Sequence, residues 1–410
     1  MDDCESEYMK IRKEKASYYL LVFALAFSDV LKNGNLNLLY FWGIYIIIAQ
    51  IGNKKFFYKD LVRYFIPFTA LPLIYVLFSG GTLNIVRACV YCAKLFLNIS
   101  LLSYFKHNLW KIHIGKVWRE LTYIFALFLL LSLVTYARTP LWRVNDAYNT
   151  FSKIRLQFLF SEPSVLGLLS SLLLIFTFIT ILEDGIKDKN GIMFGILALI
   201  LILTFSMSGI VYFVIASVFY LFMKILLNRK KIDKRVGIIA LVVIVVALII
   251  MTTTNVISNR FTAIVQGSDA SFNFRWISSF NSLKEVMENT HNWGLGVGNM
   301  NTSQGISALL SSGIEYKYAN SFLYVIDENG ILGMAYILYI FMSFLYECIK
   351  ERERDKKIFN IKMTLLLFIF ISQVAGGYFT DPLLWCVYGI ICAINTDYKM
   401  LLVRSRRVLG

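Results

Sequence analysis

Charge is scarce in this chain: charged residues make up 16% of its 410 residues and apolar ones 58%, whereas a soluble domain carries about a quarter charged and about half apolar. With a mean hydropathy of +0.63, that scarcity excludes a soluble domain and points to a chain that crosses a membrane many times. Cysteine is sparse too. Cys4, Cys89, Cys92, Cys348, Cys386 and Cys392 all fall outside the segments assigned below to the outer face, so no disulfide framework is implied. Cys89-Val-Tyr-Cys92 has redox spacing but lies within an apolar run with no thioredoxin-like context, and reads as small core residues. No Walker motif, metal-ligand spacing, catalytic triad, internal repeat or low-complexity tract is present. The lack of a repeat counts against transporter folds built from inverted halves. The net charge of +15 comes without a nucleic-acid reader motif, and its basic residues flank apolar runs, as expected where lysine and arginine are retained in the cytosol.

What the chain does have is long apolar runs. They lie at Ser17–Leu31, Leu36–Ile51, Leu61–Phe78, Leu83–Phe105, Leu121–Ala137, Pro163–Leu182, Gly191–Phe205, Gly209–Leu227, Val236–Thr254, Ala319–Tyr346, Met363–Phe379 and Pro382–Leu402. At about 20 residues per crossing, they predict an all-α polytopic membrane protein of about twelve transmembrane helices. The first run is short and contains Asp29; it reads as a retained span rather than a cleaved leader. Ser206-Met-Ser-Gly209 separates two runs as a tight hairpin or a broken helix. With a cytosolic N-terminus, most of the 41 lysines and arginines fall on inner segments, which places both termini inside.

The whole chain, 1–410, therefore reads as one integral membrane domain with two larger outer loops, at 138–162 and 255–318. Loops of that length in a compact fold are usually functional or disordered; these carry aromatics and glycines and too little charge for disorder. In the longer one, Phe274–Val286 predicts an amphipathic helix, with Trp276, Phe280, Leu283 and Met287 at helical spacing, suited to the membrane interface.

The candidate chemistry sits in these loops. Arg155-Leu-Gln-Phe-Leu-Phe-Ser-Glu-Pro-Ser-Val-Leu-Gly167 joins a permanent cation to a helix start, with Ser161-Glu162-Pro163 read as a cap followed by proline in the first turn. Arg138, Arg143, Arg155, Arg260 and Arg275 gather on a face normally poor in basic residues. Their planar donor forks suit phosphate oxygens; the alternative is that they anchor loops to headgroups or pair with Glu162, Asp146 and Asp269. Glu328, in Ile326-Asp-Glu-Asn-Gly-Ile-Leu-Gly333, and Lys94 are ionisable groups within spans, and they read either as structural partners or as functional groups. Glu162 or Glu328 has the chemistry to deprotonate an acceptor hydroxyl. His291 is the only histidine placed outside, as general base or incidental loop residue. Gly294-Leu-Gly-Val-Gly298 follows no predicted strand, so it reads as a tight turn for close backbone approach rather than a nucleotide loop.

Taken in order, these stretches resemble a known family. Arg155…Phe160-Ser-Glu-Pro-Ser-Val-Leu-Gly167, then Ser206-Met-Ser-Gly209, then Phe274-Arg275-Trp276 and Trp293-Gly-Leu-Gly-Val-Gly298, then Ala319-Asn-Ser-Phe-Leu…Glu328-Asn-Gly-Ile-Leu-Gly333 are similar to segments of bacterial Wzy-type O-antigen and capsular polysaccharide polymerases, in the O-antigen ligase-like superfamily. The resemblance covers roughly 138–333. It implies a GT-C-like membrane glycosyltransferase in the bacterial cytoplasmic (inner) membrane, its site facing the periplasm or exterior. Such an enzyme joins undecaprenyl-diphosphate-linked repeat units, which serve as donor and acceptor, with membrane lipid and a chain-length regulator among its partners, no nucleic acid, and no cofactor or metal. Arg275, Glu162 and His291 would then be catalytic, and Arg138, Arg143, Arg155, Arg260, Asn320 and Glu328 would bind diphosphate or glycan. Related ligases, which transfer the glycan to a lipid A core, carry a histidine directly before the asparagine of the late helix; here Ala319 precedes Asn320, which speaks for polymerase. A lipid-linked oligosaccharide flippase is the remaining alternative, disfavoured by two substantial outer loops.

Overall fold

A computed structural model describes residues 16–28, 37–52, 58–81, 83–112, 114–144, 154–185, 188–227, 259, 262–269, 272–300, 320–376 and 379–394. Eleven apolar helices run through them. Seven have the length and composition to cross a membrane: α3 (Tyr58–Ser79), α4 (Ile85–Ile112), α5 (Ile114–Val134), α6 (Pro163–Asp184), α8 (Met207–Leu227), α10 (Ser321–Ile349) and α11 (Lys356–Gly376). Four are shorter: α1 (Ala16–Ala26), α2 (Leu38–Gly52), α7 (Asp188–Leu203) and α12 (Pro382–Ala393). The chain is thus an all-α polytopic membrane protein, and each of these helices coincides with an expected apolar run. The expected run at Val236–Thr254 lies outside the described residues. Large apolar side chains such as Leu77, Leu133 and Phe222 stand exposed on the spans, as a lipid-facing surface requires and a soluble one avoids.

The bundle is built around α6. Of its most apolar window, 83% is buried, against 28% to 61% for the other six long helices. α7 and α8 both pack on α6 and only slightly on each other, and α8 then packs on α11. A second group joins α4 to α12 and α2, while α10 bridges the two groups through α3, α11 and α12. The connection 204–206 is therefore a tight turn between helices that splay across a common partner, not a break within one helix. Where α6 and α8 cross, a Cβ on Gly167 would lie 2.7 Å from the Ser206 side chain, and one on Gly209 would lie 2.9 Å from the Gly167 carbonyl oxygen. Two glycines let these backbones touch, as small residues do between membrane helices.

Local chemistry sets the helix ends. Pro163 opens α6 at a position where its missing N–H costs nothing, with Glu162, not Ser161, at the N-cap. Asn320 caps α10 by accepting from the Phe322 and Leu323 N–H groups, and Asp381 caps α12 by accepting from Leu383 N–H. α10 is 29 residues long but is broken at Gly330 (φ 60°, ψ −145°). The piece after the break, at 1.5 Å per residue, spans about 28 Å, close to the hydrocarbon thickness.

One part of the loop at 138–162 is not helical. β1 (Trp142–Val144) and β2 (Ile154–Leu156) form an antiparallel hairpin in which Arg143 lies directly opposite Arg155. Its apolar side chains hold it to the end of α5: Trp142, Leu156, Phe158 and Phe160 are buried, Phe158 lies against Phe125 and Phe128, and Trp142 Nε1 donates to the Ser132 carbonyl at 2.8 Å.

Candidate functional site

The end of the bundle where α6, α8 and α10 begin and α11 finishes gathers the arginines. Arg155, carried on β2, donates from Nε to the Thr204 carbonyl at 2.9 Å and from Nη2 to the Phe205 carbonyl at 3.3 Å. Those carbonyls end α7, so the guanidinium pins the turn that leads into α8. The first turn of α8 follows at once: Gly209 N–H donates to Ser206 Oγ at 3.3 Å, Ser206 and Ser208 hydroxyls are 3.2 Å apart, and no acidic residue occupies that turn. The aligned dipole of that helix start favours an anion.

Arg275 reaches the same place from the longer loop. It sits in a π-helical turn, Asn273–Ser278, that leads into α9 (Ser279–Asn289), and its Nη1 donates to the Ala375 carbonyl at the end of α11, 3.2 Å away. It lies within electrostatic reach of Tyr212, whose hydroxyl hydrogen-bonds Ser208 in the first turn of α8. Arg155 and Arg275, 120 positions apart in sequence, thus flank one helix N-terminus. Arg143 adds a third cation: it is exposed on β1, directly across from Arg155, and like charges in that arrangement repel unless something neutralises them.

Asn320 and Glu328 occupy the neighbouring α10. Asn320 is 3% exposed and its side chain is committed to the helix cap; beside it, Ser321 Oγ donates to the Gln373 carbonyl at 2.9 Å. Glu328 is 1% exposed and accepts from Gly298 N–H at 3.0 Å. The cation within electrostatic reach of it is Arg87 on α4 rather than Lys94, so of the two readings of Glu328 and Lys94, the one that makes them structural partners is not met. Glu162 is exposed, with Ser164 Oγ donating to its Oε2 at 3.0 Å. His291 is exposed in the turn after α9, with φ 52°, and makes no hydrogen bond among the described residues. Arg138 is exposed where the hairpin loop begins. Arg260 lies outside the described residues. The structure places Arg155 on the turn into α8, Arg143 opposite it on the hairpin and Arg275 within electrostatic reach of Tyr212 on α8, and leaves His291 in its turn.

The predicted amphipathic helix is present, but its buried face differs from the expected stripe. Ser279, Ser282 and Val286 are buried against α10, while Trp276 and Phe280 stack on each other beside that face, Phe280 half exposed. Cys89 is exposed on α4 rather than in the core.

Residues 192–338 match the family model described as O-antigen ligase. The matched stretch runs from α7 to the middle of α10 and contains Ser206–Gly209, Tyr212, Arg275, Asn320 and Glu328, whereas Arg143, Arg155 and Glu162 precede it. The match is consistent with an O-antigen ligase-like superfamily member and supports a role in polysaccharide assembly at a membrane. No curated protein matches the chain.

Tyr212 and Arg87 were not singled out as site residues from the sequence. Tyr212 had a usable signal: a polar-tipped side chain one turn after Gly209, near the start of a largely apolar helix. Arg87 had only its place near the start of a span.

Proposed function

We propose that the chain polymerises undecaprenyl-diphosphate-linked repeat units into O-antigen or capsular polysaccharide on the outer face of the bacterial cytoplasmic membrane. The observation that carries this reading is the cluster of Arg143, Arg155 and Arg275 about the first turn of α8, which has no carboxylate of its own. A lipid diphosphate offers oxygens that suit the planar donor forks of such arginines, and it reaches the end of a membrane helix by lateral diffusion.

In the proposed step, the acceptor hydroxyl loses its proton to a carboxylate and its oxygen bonds to the anomeric carbon of the donor. The bond from that carbon to the diphosphate oxygen breaks, and the electron pair leaves with the diphosphate. Arg155 and Arg275 stabilise the charge that develops there, which is catalysis by preorganised electrostatics. We assign the proton to Glu162. It is exposed and sits at the start of α6, five residues before Gly167, which touches Ser206 in the arginine cluster. His291 has no comparable link.

The second reading is a ligase acting on a lipid A core, favoured by the match to the O-antigen ligase family model. Ala319, where related ligases carry histidine, favours polymerase. Purified protein given lipid-diphosphate-linked repeat units, without metal, is expected to produce a ladder of longer chains. Transfer only when lipid A core is added, with no ladder, decides for the ligase; no transfer to either acceptor rejects both.

A further inference from the structure

The loop from Asn292 to Met300 is fitted into the break in α10 as a replacement for the helix's own hydrogen bonds. In an unbroken helix the Asp327 carbonyl would accept from Ile331 N–H and the Glu328 carbonyl from the next residue. Here Ile331 N–H donates to the Asn292 carbonyl at 3.0 Å, the Asp327 carbonyl accepts from Leu295 N–H at 2.8 Å, and the Glu328 carbonyl accepts from Gly296 N–H at 2.9 Å. The approach is close enough that a Cβ on Gly330 would collide with the Asn292 carbonyl, and both Gly294 and Gly298 hold φ above 80°.

Side chains bolt the loop in place from two helices. Glu328 accepts from Gly298 N–H at 3.0 Å, while from α4 Arg87 Nη1 donates to the Met300 carbonyl at 3.3 Å. Trp293 stacks on Phe78 of α3, and Leu295 and Met300 form an apolar cluster with Leu323 and with Val286 of α9. The helix that rests on this loop is the one whose entry turn carries Arg275.

We propose that Glu328 is a positioning residue: it latches the 292–300 loop between α10 and α4, and so fixes α9 and Arg275 over the start of α8. It is not the base that deprotonates the acceptor. Glu328 Oε1 accepts from a backbone amide and Oε2 is shut away from solvent, so an acceptor hydroxyl reaches the carboxyl only if the loop comes away. The activity arm of the test rests on the proposed transferase reading; the exchange arm does not.

A glutamine keeps the accepting oxygen and loses the base, and an alanine loses both. In purified protein, Glu328→Ala is expected to speed deuterium exchange at Gly298 about tenfold or more, the loss of the hydrogen bond its N–H makes, with exchange in α6 unchanged. Glu328→Gln is expected to stay within about threefold of wild type both in exchange and in chain extension, while Glu328→Ala loses kcat with KM for the donor little changed. Wild-type exchange rates in Glu328→Ala overturn the latch. So does a Glu328→Gln protein that is inactive with its loop still protected, because that outcome makes the carboxylate chemical. If Glu328→Ala does not accumulate, Arg87→Gln tests the clamp from α4: faster exchange over 295–300 supports it, and wild-type exchange overturns it. If wild type extends no chain at all, the transferase reading fails and the exchange rates still decide the latch.

Discussion

Arg155 holds its position by two donors in one plane, Nε on the Thr204 carbonyl and Nη2 on the Phe205 carbonyl. A lysine carries the same charge but has no fork, so it cannot hold both carbonyls and face an anion as well. Arg155→Ala and Arg155→Lys are both expected to lower glycan transfer by about a hundredfold, the scale seen when one preorganised donor is removed from a developing negative charge. Transfer rates of purified variants check this, and near-normal activity in Arg155→Lys would show that charge alone suffices. Tyr212 belongs to the same cluster through Ser208 and Arg275. Tyr212→Phe keeps the ring and removes the hydroxyl, so it should lower kcat while leaving the amount of inserted protein unchanged.

Between elements, the α6–α8 crossing fixes where these residues meet. A side chain at Gly167 or Gly209 meets atoms under 3 Å away, whereas one at Gly195 on α7 meets nothing within 4 Å. Gly167→Val and Gly209→Val should destabilise by about 1–3 kcal/mol through overpacking, read as a lower unfolding midpoint in detergent. Gly195→Val should melt like wild type, and equal losses in all three would remove the crossing as the cause. At the opposite end, Glu183 joins Lys224 and Lys357, each at 2.8 Å, and accepts from the Tyr220 hydroxyl at 2.6 Å. Glu183→Gln leaves two partly buried lysines without their counter-charge and should cost up to about 3 kcal/mol, with kcat unchanged because the arginine cluster is untouched.

The elements differ in how far their residues announced them. The spans were legible because about 20 apolar residues in a row have few other uses, and every apolar helix described falls on such a run. The hairpin was not: its strands are three residues each, too short for an alternating pattern, and its anchors Trp142 and Phe158 look like any loop aromatics until α5 is placed beside them. The break at Gly330 was equally hidden, since a single glycine inside a membrane helix is commonplace. Among the site residues, the arginines stood out by sidedness. Their partners did not, because Thr204, Phe205 and Ala375 are used through backbone carbonyls, which any residue supplies.

For the whole molecule, the reading depends on which end of the bundle faces out. The two ends are chemically unlike. One has the arginine hairpin, the loop carrying Arg275 and the start of α8. The other has Lys106 on Asp60, Lys224 and Lys357 on Glu183, and Lys362 beside Glu351. Basic residues in short loops mark the cytosolic side, so the proposed reading has the lysine end inside and the arginine end out, where it requires a flipped lipid diphosphate to arrive. Arg143 and Arg352 are exposed at opposite ends and serve as reporters. Arg143→Cys should react with a membrane-impermeant maleimide in intact cells, and Arg352→Cys only after permeabilisation, each measured against the unsubstituted chain because Cys89 is itself exposed. The reverse pattern would turn the arginine cluster toward the cytosol. It would then face lipid-linked intermediates before they cross the membrane, and chain extension at the outer face would have to be abandoned.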